Sequence, residues 1–123
     1  MTASPNETIV NQVVKHSDEQ LDRIYGAISH PVRRKILEQL GASAATVTAL
    51  ADPFAMSLPA VSKHIRILEA AGLVNRTIDG REHRLALEAR PLLPATAWLE
   101  RYRSFWEARL DLLEDRIRTR ARR

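Results

Sequence analysis

The sequence predicts a mainly α-helical protein carrying one β-hairpin, and three observations predict it. Apolar residues recur at three- and four-residue steps through most of the chain. An Asp79-Gly80 pair separates two short extended runs. Two short helices joined by a tight turn stand immediately before that hairpin.

Residues 1–17 mix Ser, Pro, Asn and Thr with a short apolar cluster and read as an arm, helical at most from Glu7 to Val14, where Val10, Val13 and Val14 share a face. Asp18 opens a clearer helix, with Leu21, Ile24, Tyr25 and Ile28 at helical spacing. Pro31 suits the first turn of a second helix because its missing N–H is not needed there. That helix buries Val32, Ile36, Leu37 and Leu40 and is expected to stop at Gly41. Thr46-Val47 suggests a very short strand, and Thr48 a cap for a third helix of one to two turns ending near Phe54, with Pro53 removing a donor.

Ser57 is a good cap for a fourth helix over Leu58–Ala71, with Pro59 in its first turn. Gly72 supplies the left-handed residue after it, and Leu73 folds back as the accompanying apolar contact. Val74–Ile78 and Glu82–Leu87 are strands whose turn, Asp79-Gly80, tolerates positive φ. Pro91 and Pro94 lead into one long helix from Ala95 to Arg118. The order α1-α2-(β1)-α3-α4-β2-β3-α5 is that of a winged helix-turn-helix, forming one domain over 18–118 before a basic tail, 119–123.

Composition limits what such a fold does. The 123 residues are 45% hydrophobic, enough for one core, and no apolar run approaches the length of a membrane span or a signal peptide. Without cysteine, disulfides, thiol switching and thiolate metal sites are excluded, in keeping with a cytoplasmic protein. A net charge of +4 favours a polyanionic partner. There is no Gly-rich phosphate loop and no evident Ser-His-acid grouping, so the chain is expected not to be an enzyme and to need no cofactor.

The placement of charge says more than its sum. On the fourth helix Leu58, Val61, Ile65 and Leu68 cluster on the core side, whereas Pro59, Ala60, Lys63 and Arg66 project away, with Ser62 and His64 on the flanks. Little bulk at the first turn followed by cationic donors is what a helix entering a major groove needs. Ser57 and the first-turn N–H groups add a place for a phosphate. Any solvated basic helix would show the same face, and it is the preceding short helix and the following hairpin that favour DNA. Arg76, Arg81 and Arg84 surround the hairpin turn and suit a phosphate backbone or minor groove, with Arg81 nearest the tip.

In the last helix Trp98, Tyr102, Phe105, Trp106, Leu110, Leu113 and Ile117 follow three- and four-residue steps. A helix of about 24 residues is roughly 36 Å long, more than a small domain covers on one side. The surplus face calls for the same helix of a second subunit. The alternative is a pocket for an unidentified small effector lined by Trp98, Tyr102 or Trp106.

Two stretches carry a family resemblance: Ala27-Ile-Ser-His-Pro-Val-Arg-Arg-Lys-Ile-Leu37 and Leu58-Pro-Ala-Val-Ser-Lys-His-Ile-Arg-Ile-Leu-Glu-Ala-Ala-Gly-Leu-Val74. With Asp79-Gly-Arg81 and the Trp98–Glu107 segment, they resemble the ArsR/SmtB-type transcriptional regulators over about Leu21 to Leu113. The resemblance implies a homodimeric bacterial repressor that binds pseudo-palindromic double-stranded DNA and dimerises through its first and last helices, the first contributing Leu21, Ile24 and Tyr25. Two departures stand out. His30 occupies the place where many relatives carry an Asp cap, and the metal ligands of metal-sensing members are missing, since there is no Cys and no His beyond His83. The rival reading is a winged-helix module that binds protein and not specific DNA.

Overall fold

In a computed structural model the described residues are 18–121, so the arm expected over 1–17 lies outside them. They divide into two compact units, one reaching to Leu92 and one beginning at Leu93.

The first unit opens with helix α1 (residues 18–28), followed by α2 (Pro31–Ala42). His30 performs the capping expected of an Asp: its Nδ1 accepts from the Val32 N–H at 3.1 Å, and Pro31 takes the first helical position. The helix does not stop at Gly41. It runs to Ala42, and Ser43 turns extended while its N–H still donates to the Gln39 carbonyl. Gly41 has no positive φ, so the glycine is simply carried through as a helical residue.

Strand β1 is Ala45–Thr46, and α3 is Val47–Ala51. Its cap is Thr46, whose hydroxyl accepts from the Ala49 N–H, and not Thr48. Thr46 thus closes the strand and opens the helix. Pro53 falls in the turn beyond Ala51, not in a helix reaching to Phe54. Helix α4 (Leu58–Ala70) is capped by the Ser57 hydroxyl, which accepts from the Ala60 N–H. It ends in a reciprocal pair of bonds across a left-handed Gly72 (φ 77°): the Leu73 N–H donates to the Leu68 carbonyl and the Gly72 N–H to that of Glu69.

Strands β2 (Val74–Asp79) and β3 (Glu82–Leu87) pair antiparallel, and β1 joins the far edge of β3, so the sheet order is β1-β3-β2. Asp79 pairs with Glu82, which makes Gly80 and Arg81 the two turn residues, not Asp79 and Gly80. Gly80 has φ 62° and Arg81 a negative φ, the pattern of a type II′ turn. Ile36, Leu40, Leu50, Val61, Ile65, Leu68, Leu73 and Leu85 form one core of α2, α3, α4 and the sheet. Leu58, expected on the buried side, is 48% exposed, because the first turn of α4 projects beyond the core.

In the second unit the expected single helix is two: α5 (Leu92–Glu100), which begins at the last residue of the first unit, and α6 (Arg103–Ala121). Neither Gly nor Pro marks the break at Arg101-Tyr102. The Tyr102 N–H donates three residues back, to Leu99, and the ladder resumes from the Tyr102 carbonyl to Trp106. The interruption falls in the aromatic cluster of Trp98, Tyr102, Phe105 and Trp106, side chains that lose rotamer freedom in a helix and hold it weakly. Helix α6 buries none of its residues and continues through the first residues expected as a tail.

Candidate nucleic-acid interface

Helix α4 presents three sides, each set by its sequence. Val61, Ile65 and Leu68 are fully buried and fix the inward side. On the outward side Pro59, Lys63 and Arg66 are exposed, and Ala60 is half-buried. Ser57 is exposed at the helix start; its oxygen serves the cap while its hydroxyl proton is left to donate. Ser62 is half-buried on a flank. Lys63 and Arg66 thus stand exposed beyond a first turn of small side chains, on the side opposite the buried row.

His64 has a different role from the other α4 candidates. Its Nδ1 lies 3.0 Å from the Arg33 guanidinium, and its ring stands 4.5 Å from that of His30. A guanidinium only donates, so His64 Nδ1 accepts and the imidazole is neutral. Burial is the first cause of its lowered pKa, reinforced by His30, Arg33 and Lys63. Arg33 in turn donates to the carbonyls of Ala27 (2.7 Å) and Gly26 (3.2 Å), and Arg34 to that of Ile28, so two arginines of α2 close the carbonyl end of α1. His64 belongs to this internal network rather than to the outward ridge.

The hairpin also sorts its arginines. Arg76, Ile78, His83 and Leu85 lie on one face, Thr77, Glu82 and Arg84 on the other. Arg76 is not available to a phosphate. Its Nε and Nη2 donate to the two Glu69 oxygens at 3.2 and 2.6 Å, and its Nη1 reaches His83 Nδ1 at 2.9 Å. The expectation of Arg76 as a DNA contact is thereby corrected: on the inner face of β2 it meets a carboxylate from the last turn of α4. The bond from Glu69 raises the Arg76 pKa above its already high value. Arg81, in the turn, and Arg84, on the open face, are both exposed. Glu82 lies 3.7 Å from Arg84, a solvated contact of little strength.

The residues expected at a subunit interface fall into three classes. Ile24 is completely buried within the single chain and offers no surface to a partner, which corrects its assignment. Leu21 and Tyr25 are half-buried. Trp98, Tyr102, Phe105, Trp106, Leu110, Leu113 and Ile117 are all exposed. Two helical ion pairs lie on the second unit, Glu100 with Arg103 and Glu114 with Arg118. An open depression of about 450 Å³ is lined by Leu99, Tyr102, Trp106 and Leu110 among others, with Trp98 outside its lining.

Sequence reasoning missed Arg33 and Glu69. No local signal marks them, since Arg33 and His64 are 31 positions apart and Glu69 has a helical surface pattern. Among the described residues no three His, Asp or Glu side chains gather as metal ligands, and no helix is long and apolar enough to cross a membrane.

Comparison with known proteins agrees with this architecture. A family model described as a helix-turn-helix domain matches residues 28–77. The transcriptional repressor SdpR of Bacillus subtilis (strain 168) is 30% identical over 79 residues, 64% of this chain and 88% of that protein. The crystal structure of the ArsR family transcriptional regulator RHA00566 superimposes with a TM-score of 0.68 at 40% identity, covering 73% of this chain and 93% of that one. The homodimeric winged helix-turn-helix DNA-binding domain Mb0332 of Mycobacterium bovis shares the fold at 20% identity, with a TM-score of 0.56 and coverage of 85% and 91%. With a buried three-helix core, a capped α4 displaying Lys63 and Arg66, and an arginine-tipped wing, the chain belongs to the ArsR family of DNA-binding, winged helix-turn-helix transcriptional regulators.

Proposed function

We propose that this regulator is a repressor of the bacterial cytoplasm that binds a pseudo-palindromic operator as a homodimer and performs no catalysis. Helix α4 enters the major groove with Pro59, Ala60 and Ser62 at its approach, Lys63 and Arg66 on bases and phosphates, and Ser57 at a phosphate; Arg81 and Arg84 reach the flanking backbone. The observation that carries this reading is the outward exposure of Lys63 and Arg66 on a helix whose opposite side is fully buried. SdpR is a transcriptional repressor, and the Mb0332 domain is homodimeric, which supports both parts of this reading. The exposed row from Trp98 to Ile117 supplies the apolar surface for the second subunit, with Leu21 and Tyr25 contributing from α1.

A gel shift against the DNA upstream of the protein's own coding region, with competitor duplex present, tests the proposal. A discrete complex that survives competitor and weakens in Lys63→Ala and Arg81→Ala is expected, with a shallower salt dependence in both variants. Binding no better than that of any basic protein would favour the rival, a module that recognises protein.

A further inference from the structure

Resting on the reading of α4 as the groove-entering helix, we infer that Arg33 with His64 and Arg76 with Glu69 are two polar struts that set the roll of α4 about its axis and thereby decide which side chains meet the bases. Successive helical residues step by about 100°, which puts His64 and Glu69 about 70° to either side of the seam of Val61, Ile65 and Leu68. Each flank residue is engaged by an arginine from a different element. Arg33 of α2 holds His64 while two of its nitrogens are fastened to the end of α1. Arg76 of β2 holds Glu69 through two bonds and His83 of β3 through a third. Helix α4 is thus stayed from the helical side and from the wing side at once.

The physical need for such stays follows from the seam itself. Apolar contact is non-directional, and three aliphatic side chains accommodate a modest rotation. A roll of about 20° moves a side-chain end about 6 Å from the axis by about 2 Å. A hydrogen bond to a base edge does not survive that displacement. A forked bond on the Glu69 flank and a single guanidinium–imidazole bond on the His64 flank resist it in either direction, since both are directional, and the Arg76 and Glu69 side chains are only 23% and 27% exposed. Neither strut touches DNA, so these are positioning residues, and they act on base discrimination more than on phosphate attraction.

The test compares affinity of the full chain for a duplex it selects from a random-sequence pool with affinity for a scrambled duplex at the same salt. Arg33→Lys keeps the charge but loses the fork, and Glu69→Gln loses the ion pair. Each is expected to lower the selected-to-scrambled ratio about tenfold, comparable to the loss of one base pair's discrimination, while affinity for the scrambled duplex changes little. The exchange of Glu69→Arg with Arg76→Glu should restore the ratio. An unchanged ratio in both single variants, or an equal fall for both duplexes, would overturn the struts. Should the variants unfold, the wild-type Arg33 Nη1–H and Arg76 Nε–H resonances, whose protons face His64 and Glu69, decide: protection retained in the complex supports the struts, and loss of it on DNA binding overturns them. Lys63→Ala separates the two levels of the reading. If it leaves both affinities intact the α4 reading itself falls and the struts with it, whereas a weakened Lys63→Ala beside unaffected strut variants removes the struts alone.

Discussion

Helices α4 and α6 carry the same kind of sequence pattern and meet opposite fates. In α4 the apolar row of Val61, Ile65 and Leu68 is wholly buried, and the charged side is left outward. In α6 the row of Phe105, Trp106, Leu110, Leu113 and Ile117 is at least half exposed, and no residue of the helix is buried. Periodicity states that a face must be covered; it does not state by what. The difference teaches that the first unit carries its own core, while the apolar row of α6 is left uncovered within the single chain, the surface assigned above to the proposed second subunit.

Substitutions that treat the two helices alike should separate them most sharply. Leu68→Ala is expected to lower unfolding free energy by about 2–5 kcal/mol, through lost burial and a cavity, read from urea denaturation. Leu113→Asp should leave the first unit folded yet produce monomers in analytical ultracentrifugation, because a charge in an apolar seam is costly to desolvate. A fully dimeric Leu113→Asp protein would show that the α6 row is not the seam. Next in size is the outward side of α4: Lys63→Ala and Arg66→Ala should each weaken DNA binding by about 1–3 kcal/mol if they reach base edges, and reduce the salt slope by about 1 where they meet a phosphate.

Smaller effects test the ends and flanks of α4. Ser57→Ala should cost about 1 kcal/mol of stability by removing the hydroxyl that accepts the Ala60 N–H. At Gly72 an added Cβ would meet Pro91 Cγ at 3.6 Å, an ordinary contact, so Gly72→Ala should cost only the left-handed backbone strain, about 1–2 kcal/mol. The smallest effect is a pH dependence. Burial lowers the His64 pKa below 6.5, so the unfolded chain binds this proton more readily than the folded one. The stabilisation is complete above 6.5 and is lost as pH falls through the lowered folded value, where an imidazolium no longer accepts from Arg33. The urea midpoint should drift down across that window in the wild type, and less in His64→Gln. Parallel profiles in the two proteins would remove His64 as the source.

Much of the first unit was legible because local chemistry and tertiary need agree there. Ser57, Pro59 and Gly72 each have one inexpensive use, and the structure puts each to that use. Legibility failed where two residues compete for one task. Thr46 and Thr48 both offer a cap, and chain reversal from β1 selects Thr46. The hairpin turn slid by one residue because strand pairing, not the dipeptide, sets where the ladder closes. The break at Arg101-Tyr102 escaped notice because no Gly or Pro announces it.

The sequence by itself determined the order of elements, the inward side of α4 and the outward place of Lys63 and Arg66, since these depend on spacing along one helix. Only the tertiary structure decided which arginines are spent. Arg76 and Arg33 look no different from Arg81 in a string of residues, yet a carboxylate 7 positions away and an imidazole 31 positions away claim them. A guanidinium reaches several ångströms across space and bonds to whatever acceptor the fold brings near, and that neighbour is set by packing, not by adjacency in the chain.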